Sequence, residues 1–267
     1  MVKIITSSTD VSDLGINSPG KRLIVTKDAY SASMVFELSR NAKNVILLEN
    51  SELLPYDFFS MSPSIRAKRI SALSTFLKSN NVTLIASIAT VLSPVPATSH
   101  LSSLNQLSVG DPFLIKKVTA ELARDGYLRE DFVTEPGQYA LRGSVMDVFL
   151  TSANKPTRIE FFDDEIESLR TFNPESQITE EKIDFIDFLP SYEFPIDDKS
   201  VEVFKQEWRK KFDTFEEDSE IFTRTSKLKF AEGVEIYTPL FSTQKTNILS
   251  YLNDVNEIYL QSGTSQK

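Results

Sequence analysis

In the first third of the chain, short apolar runs alternate with segments whose apolar residues recur at helical spacing. Lys3-Ile4-Ile5 is a short candidate strand and Arg22-Leu23-Ile24-Val25-Thr26 a stronger one. Asp28 is placed to cap a helix over 29–41, with Ala32, Val35, Phe36 and Leu38 on its apolar side. Val45-Ile46-Leu47-Leu48 and Val82-Thr83-Leu84-Ile85-Ala86 are nearly continuous apolar runs, as expected of strands buried on both faces of a parallel sheet. Between them, after the loop LPYDFFSMSPS, Ile65, Ile70, Leu73, Phe76 and Leu77 predict a helix over about 64–78, with Arg66, Lys68 and Arg69 turned elsewhere. This order predicts a doubly wound α/β domain.

Residues 93–112, SPVPATSHLSSLNQLSVGDP, are rich in Pro, Ser and Thr, which predicts a domain boundary. Beyond it, a helix over about 113–125 ends at Gly126, a residue suited to a helix C-terminus. Three β-type runs follow, Gln138–Phe149, Thr157–Phe162 and Ile166–Phe172, and Asp163-Asp164 predicts a tight hairpin turn between the last two. A helix with antiparallel strands makes a small α+β module at 105–185, between a first domain at 1–104 and a return to it at 186–267. In that last part Ile183–Leu189 alternates like a strand. Val201, Phe204, Trp208 and Phe212 form a helical stripe expected to be core, and Glu216-Glu217-Asp218 is simplest as a solvated helix start.

The composition, 40% hydrophobic and 25% charged over 267 residues, is that of a soluble globular protein. No run approaches the roughly 18 apolar residues that a membrane span needs. The first residues, MVKIITSSTDVSD, lack a secretory pattern. No membrane association and a cytoplasmic location are expected. Cysteine is absent, which excludes thiolate catalysis, disulfides and Cys-ligated metal sites. The one histidine, His100, lies in the Pro/Ser/Thr-rich run and is assigned to an exposed linker. No catalytic residue, metal site or cofactor site is assigned. Residues 1–134 carry a net charge of +2 and residues 135–267 a net of −11. An acidic excess opposes phosphate backbones, so the second half is expected to meet a protein.

Three constellations carry candidate chemistry. Gly15 to Arg22 matches the phosphate-binding pattern G-x-x-x-x-G-K-[ST] except at its last position, but Lys21 leads into a strand where a phosphate loop needs a helix. Taken with Asp163-Asp164, it makes a nucleotide-binding module one reading. Arg66, Lys68 and Arg69 make direct DNA binding another. The third constellation is a basic–aromatic patch. Alternation along 158–162 puts Ile159 and Phe161 on one face and Arg158, Glu160 and Phe162 on the other. Gly143, which tolerates backbone angles closed to other residues, separates Arg142 from a further strand at 144–149. Arg142, Arg158 and Phe162 are thereby expected on one face of adjoining strands, a composition typical of protein-binding hot spots.

At these residues the sequence resembles a known family. LPYDFFSMSPSIRAKRISALSTF, then GQYALRGSVMDVFLTSANKPTRIEFFDDEIESLRTFNPESQ and FLPSYEFPID, are similar to the N-terminal region of the bacterial transcription-repair coupling factors. The similarity runs from about Leu23 onward and is most specific over 138–177. A weaker similarity links the same block to UvrB, whose intact phosphate-binding loop and Tyr-rich hairpin have no counterpart here. The resemblance implies a UvrB-like parallel-sheet domain 1A without ATPase function at 1–104, an inserted α+β domain 2 at 105–185, and domain 1B at 186–267. It implies that domain 2 captures UvrA through contacts carried over onto Arg142, Arg158 and Phe162, bringing excision repair to a stalled RNA polymerase. The family's polymerase-binding module and its ATP- and Mg-dependent translocase on double-stranded DNA are expected outside this chain. On that reading the chain is an N-terminal adaptor and not itself an enzyme.

Overall fold

The computed structural model describes residues 2–5, 14–16, 18–51, 53, 59–102, 105–195, 197–212, 219–228, 231–242 and 246–262. The expectations for 54–58 of the LPYDFFSMSPS loop and for Glu216-Glu217-Asp218 lie outside the described residues. In chain order the first elements are β1 (Val2–Ile5), β2 (Lys21–Thr26), α1 (Ala29–Leu38), β3 (Val45–Leu47), α2 (Pro63–Lys78), β4 (Val82–Ser87), α3 (Ile88–Leu92) and α4 (Thr98–Ser102). Next come β5 (Asn105–Ser108), α5 (Ile115–Arg124), β6 (Leu128–Arg129), β7 (Gln138–Arg142), β8 (Val145–Val148) and β9 (Thr157–Phe162). They are followed by β10 (Glu165–Phe172), β11 (Thr179–Lys182), β12 (Phe185–Phe188), α6 (Asp198–Lys211), α7 (Glu220–Thr225) and β13 (Glu257–Gln261). Two units result, one of residues 1–52, 72–98 and 245–267, the other of 53–71 and 99–244.

The first unit is built on a parallel sheet of order β1-β13-β2-β4-β3. Two of the apolar runs form β2 and β4, buried at every position, whereas Val45–Leu47, expected to be covered on both faces, is the edge strand β3 and only half-buried. Ile24, Ile85 and Tyr259, from three neighbouring strands, share a core with Leu14, Ile16 and Ala32. Asp28 caps α1 as expected, its Oδ1 accepting the Ser31 backbone N–H at 2.7 Å. Strand β13 is unexpected from sequence. Glu257-Ile258-Tyr259-Leu260-Gln261 mixes polar and apolar positions, and its place between β1 and β2 is set by partners such as Arg22, 235 residues away.

The second unit holds a six-stranded sheet of order β11-β10-β9-β8-β7-β6, antiparallel except between β6 and β7. The expected run 138–149 is two strands. Gly143 takes a left-handed φ of +60° and turns β7 into β8, so that Arg142 pairs with Val145. Asp163 and Asp164 are both left-handed, φ 46° and 64°, the backbone of a primed hairpin turn that Asp tolerates. Met146, Val148, Ile159 and Leu169 line one sheet face and pack with Phe113 and with Val118 and Leu122 of α5. Phe113 was expected within the helix; it is buried in the core ahead of the first turn.

The same unit contains a short ladder of β12 with β5, the latter inside the expected linker. His100 is also not on an open linker. It sits in α4, partly buried, with Nε2 donating 2.9 Å to the Tyr192 carbonyl oxygen, and burial pulls its pKa below the usual value. Val201, Phe204 and Trp208 of α6 pack with Phe222 and Phe241, so the aromatic stripe is core.

Candidate functional site

Lys21, where the near-match to a phosphate loop ends, is the first residue of β2 and is buried. Its ammonium donates to both Asp254 carboxylate oxygens, at 2.8 and 3.1 Å, and lies 4.7 Å from the Phe76 ring centroid. Arg22 is likewise held, by Glu257 at 3.1 Å and by the Ser18 and Pro19 carbonyls at 2.7 and 2.9 Å. The hydrogen bond from Lys3, with others from Tyr259 and Arg22, brings the Glu257 carboxyl down to about 2. Residues 18–20 bend directly into β2, and the Lys21 cation already has a counter-ion.

The basic side of α2 is not a solvent-facing strip. Arg66 and Arg69 are buried and Lys68 is exposed. Arg69 Nη2 donates to Glu193 Oε2 at 3.0 Å, while Arg66 reaches Glu235 at 3.4 Å and lies 3.9 Å over the Tyr192 ring. Burial lifts the Glu235 carboxyl above its usual range, opposed by hydrogen bonds that include one from Ser60. Among the described residues no group of three or more His, Cys, Asp or Glu side chains is placed to hold a metal ion. Among them, too, no helix is long and apolar enough to cross a membrane.

The six-stranded sheet has a second face, opposite the main core, and the strand register fixes its rows. Ala140, Asp147, Arg158 and Arg170 form one row; Arg142, Val145, Glu160 and Ser168 form the next. Phe162 stands one pleat further, at the end of β9. Arg142, Arg158 and Phe162 therefore share a face, with Arg142 and Phe162 both beside hairpin turns at the same end of the sheet. Under this face Val133, Ala140, Phe149 and Phe172 make a small apolar cluster.

Asp147 organises the patch. Its buried carboxylate accepts Arg158 Nε at 2.7 Å and Nη2 at 2.9 Å, a bidentate pair, and Arg142 Nη2 lies 3.9 Å from the same group. One carboxylate thus faces two guanidinium groups. Hydrogen bonding to Asp147 raises the Arg158 pKa further and fixes its charge. The Arg158 side chain is only 19% exposed and lies 4.9 Å over the Phe172 ring, so it forms the floor of the patch. Arg142 is 48% exposed; its Nη2 donates to the Asp131 carbonyl at 2.6 Å and its guanidinium lies 4.9 Å from the Phe132 ring centroid. Phe162 is 63% exposed.

Two residues of this arrangement escape sequence reasoning. Asp147 carries a signal, since Met146 and Val148 alternate with it, but only the β7–β8 register shows that it meets Arg158. Phe132 carries none, because it sits in a loop without periodicity. Exposed acids rim the patch, Asp131 on one side and Asp163, Asp164 and Glu165 on the other. Half-exposed Arg142, with the partly buried Arg158 and Arg170 beside it, inside an acidic rim suits a protein surface far better than a phosphate backbone.

Residues 106–194 match the family described as the UvrB interaction domain. The transcription-repair-coupling factor of Haemophilus influenzae is 33% identical over 248 residues, which is 91% of this chain and 22% of that protein. Its counterpart in Escherichia coli is 30% identical over 266 residues, 96% of this chain and 23% of that protein. The Bacillus subtilis protein is 27% identical over 177 residues, 65% and 15% respectively. The chain spans less than a quarter of the length of these curated relatives.

Proposed function

The chain belongs to the transcription-repair-coupling factors, and from that premise we propose that its six-stranded sheet is a docking module for UvrA. The observation that carries this reading is the shared face of Arg142, Arg158 and Phe162, inside the segment that matches a UvrB interaction domain. Asp147 fixes Arg158 as a floor, and Arg142 and Phe162 stand out from it into solvent. A carboxylate on the partner pairs with Arg142, whose charge Asp147 shares with Arg158 and leaves incompletely neutralised. Phe162 buries its ring against the partner, which contributes about 1.5–3 kcal/mol for a side chain of this size. No bond is made or broken in this act. The chain is an adaptor.

In the whole protein this module brings excision repair to a stalled RNA polymerase. Polymerase contact and ATP-driven translocation on double-stranded DNA belong to other parts of the family's sequence. On this reading domain 1A occupies 1–104, the UvrA-binding domain 105–185 and domain 1B 186–267, and the protein acts in the cytoplasm. A nucleotide-binding reading gains no support from Lys21, whose ammonium is taken by Asp254.

The test uses variants that leave the floor intact. Arg158→Glu is a poor choice, because it sets a second carboxylate against buried Asp147. Arg142→Ala and Phe162→Ala alter exposed groups without adding a charge beside Asp147. UvrA affinity of each, measured by calorimetry beside a thermal melt, is expected to fall about thirtyfold with the melt unchanged. Wild-type affinity in these folded variants would remove the site.

A further inference from the structure

Phe132 lies between β6 and β7, in no regular element, and is 62% exposed. An exposed phenyl ring in a loop ordinarily has little to hold it. This one is held from two sides. Val133, the next residue, is fully buried in the small cluster with Ala140, Phe149 and Phe172, which pins the loop to the sheet. From the other side Arg142 donates to the Asp131 carbonyl at 2.6 Å and lays its guanidinium 4.9 Å from the Phe132 ring centroid. The ring is pre-positioned yet still in water, which lowers the ordering cost of burying it against a partner. On the same face Phe162 stands at the end of β9, two strands from Arg142.

We propose that Phe132 is a second aromatic anchor of the docking face, placed on the opposite side of Arg142 from Phe162. This rests on the UvrA-docking reading and extends it to the chemistry of the partner. The surface it fits carries a carboxylate between two apolar recesses, with basic groups at its margin to meet Asp131 and the Asp163–Glu165 turn. Two rings flanking a guanidinium exclude water from the central ion pair, which strengthens it, while the charged rim mainly sets the rate of encounter.

The experiment is a set of UvrA titrations of the purified chain, with a thermal melt for every variant. Phe132→Ala is expected to weaken binding about tenfold at an unchanged melting temperature, less than Phe162→Ala. Phe132→Leu is expected to keep most of the affinity, since it keeps an apolar anchor. In an Arg142→Ala background Phe132→Ala is expected to cost several-fold more; if it adds nothing there, the ring acts only by steadying Arg142 and the anchor role is overturned. Wild-type affinity for Phe132→Ala, with Arg142→Ala and Phe162→Ala still weakened, overturns the anchor role alone. A wild-type chain that fails to bind UvrA overturns the docking reading itself. A duplex oligonucleotide bound with the same dependence on Phe132 would overturn the assignment of a protein surface as the partner.

Discussion

The two sheets of this protein set cations against carboxylates to opposite ends. In the parallel sheet Lys21 pairs with Asp254 and Arg22 with Glu257, which Lys3 shares, and both Lys21 and Arg22 are buried. Nothing is left over for a ligand, although Lys21 is the residue that a motif search would select. In the antiparallel sheet one buried carboxylate, Asp147, serves both Arg158 and Arg142, and the second of these stays half in water. The difference is one of depth: Lys21 and Arg22 are enclosed, whereas Arg142 is 48% exposed. A cation's contact with solvent decides whether it can recognise anything; its place in a pattern does not.

The largest expected effect tests the floor of the patch. Asp147→Ala leaves Arg158 enclosed without its counter-ion, and unfolding in urea is expected to show a loss of about 3 kcal/mol. UvrA binding should fall with it. Asp147→Asn, which keeps hydrogen-bonding capacity, should lose less. Arg142→Ala should move stability by no more than about 0.5 kcal/mol while lowering UvrA affinity by roughly thirtyfold, about 2 kcal/mol. Were it to destabilise the fold as much as Asp147→Ala, the contrast between floor and rim would collapse.

On the parallel-sheet side the expected effects are smaller. Lys21→Met replaces a buried ammonium by an apolar group of similar length and lets half-exposed Asp254 return to water. A stability change of less than about 1 kcal/mol is expected. Neither the variant nor the wild type should gain melting temperature at millimolar ATP; a shift that Lys21→Met abolishes would restore the nucleotide-binding reading. The smallest effect concerns His100. Burial lowers its folded pKa, so between the unfolded and folded values the unfolded chain binds more protons. Its contribution is present above about pH 6.5 and is lost as pH falls through the folded value. His100→Gln should flatten the dependence of melting temperature on pH between 7 and 5.

Much of the fold is legible in the sequence because it is encoded locally. Leu23-Ile24-Val25, Val45-Ile46-Leu47 and Leu84-Ile85-Ala86 are strands wherever they lie, and the turn at Asp163-Asp164 follows from its flanking alternation. The patch is legible for the same reason: period-two alternation puts Arg158 and Phe162 on one face without knowledge of any neighbour. What escapes the sequence depends on distant partners. Arg66 and Arg69 look like a basic helix face until Glu235 and Glu193, 169 and 124 residues away, are brought to them. His100 sits among Pro, Ser and Thr, and only the Tyr192 carbonyl shows that it is enclosed. Asp147 reads as a polar outward position, and it is outward from the main core, but the small cluster around Phe172 and the Arg158 side chain cover it.

The position of β13 bears on how the chain is made. Strand β2 cannot gain its second neighbour until Glu257 leaves the ribosome, 235 residues after Arg22. At roughly 5–20 residues per second, that wait is on the order of 10–50 s. The strands from β7 to β11 emerge as a near-continuous series of antiparallel neighbours and have their partners within moments. The docking sheet is therefore complete in the nascent chain while one edge of β2, a row of unpaired backbone donors and acceptors, still stands open to chaperones or to another nascent chain.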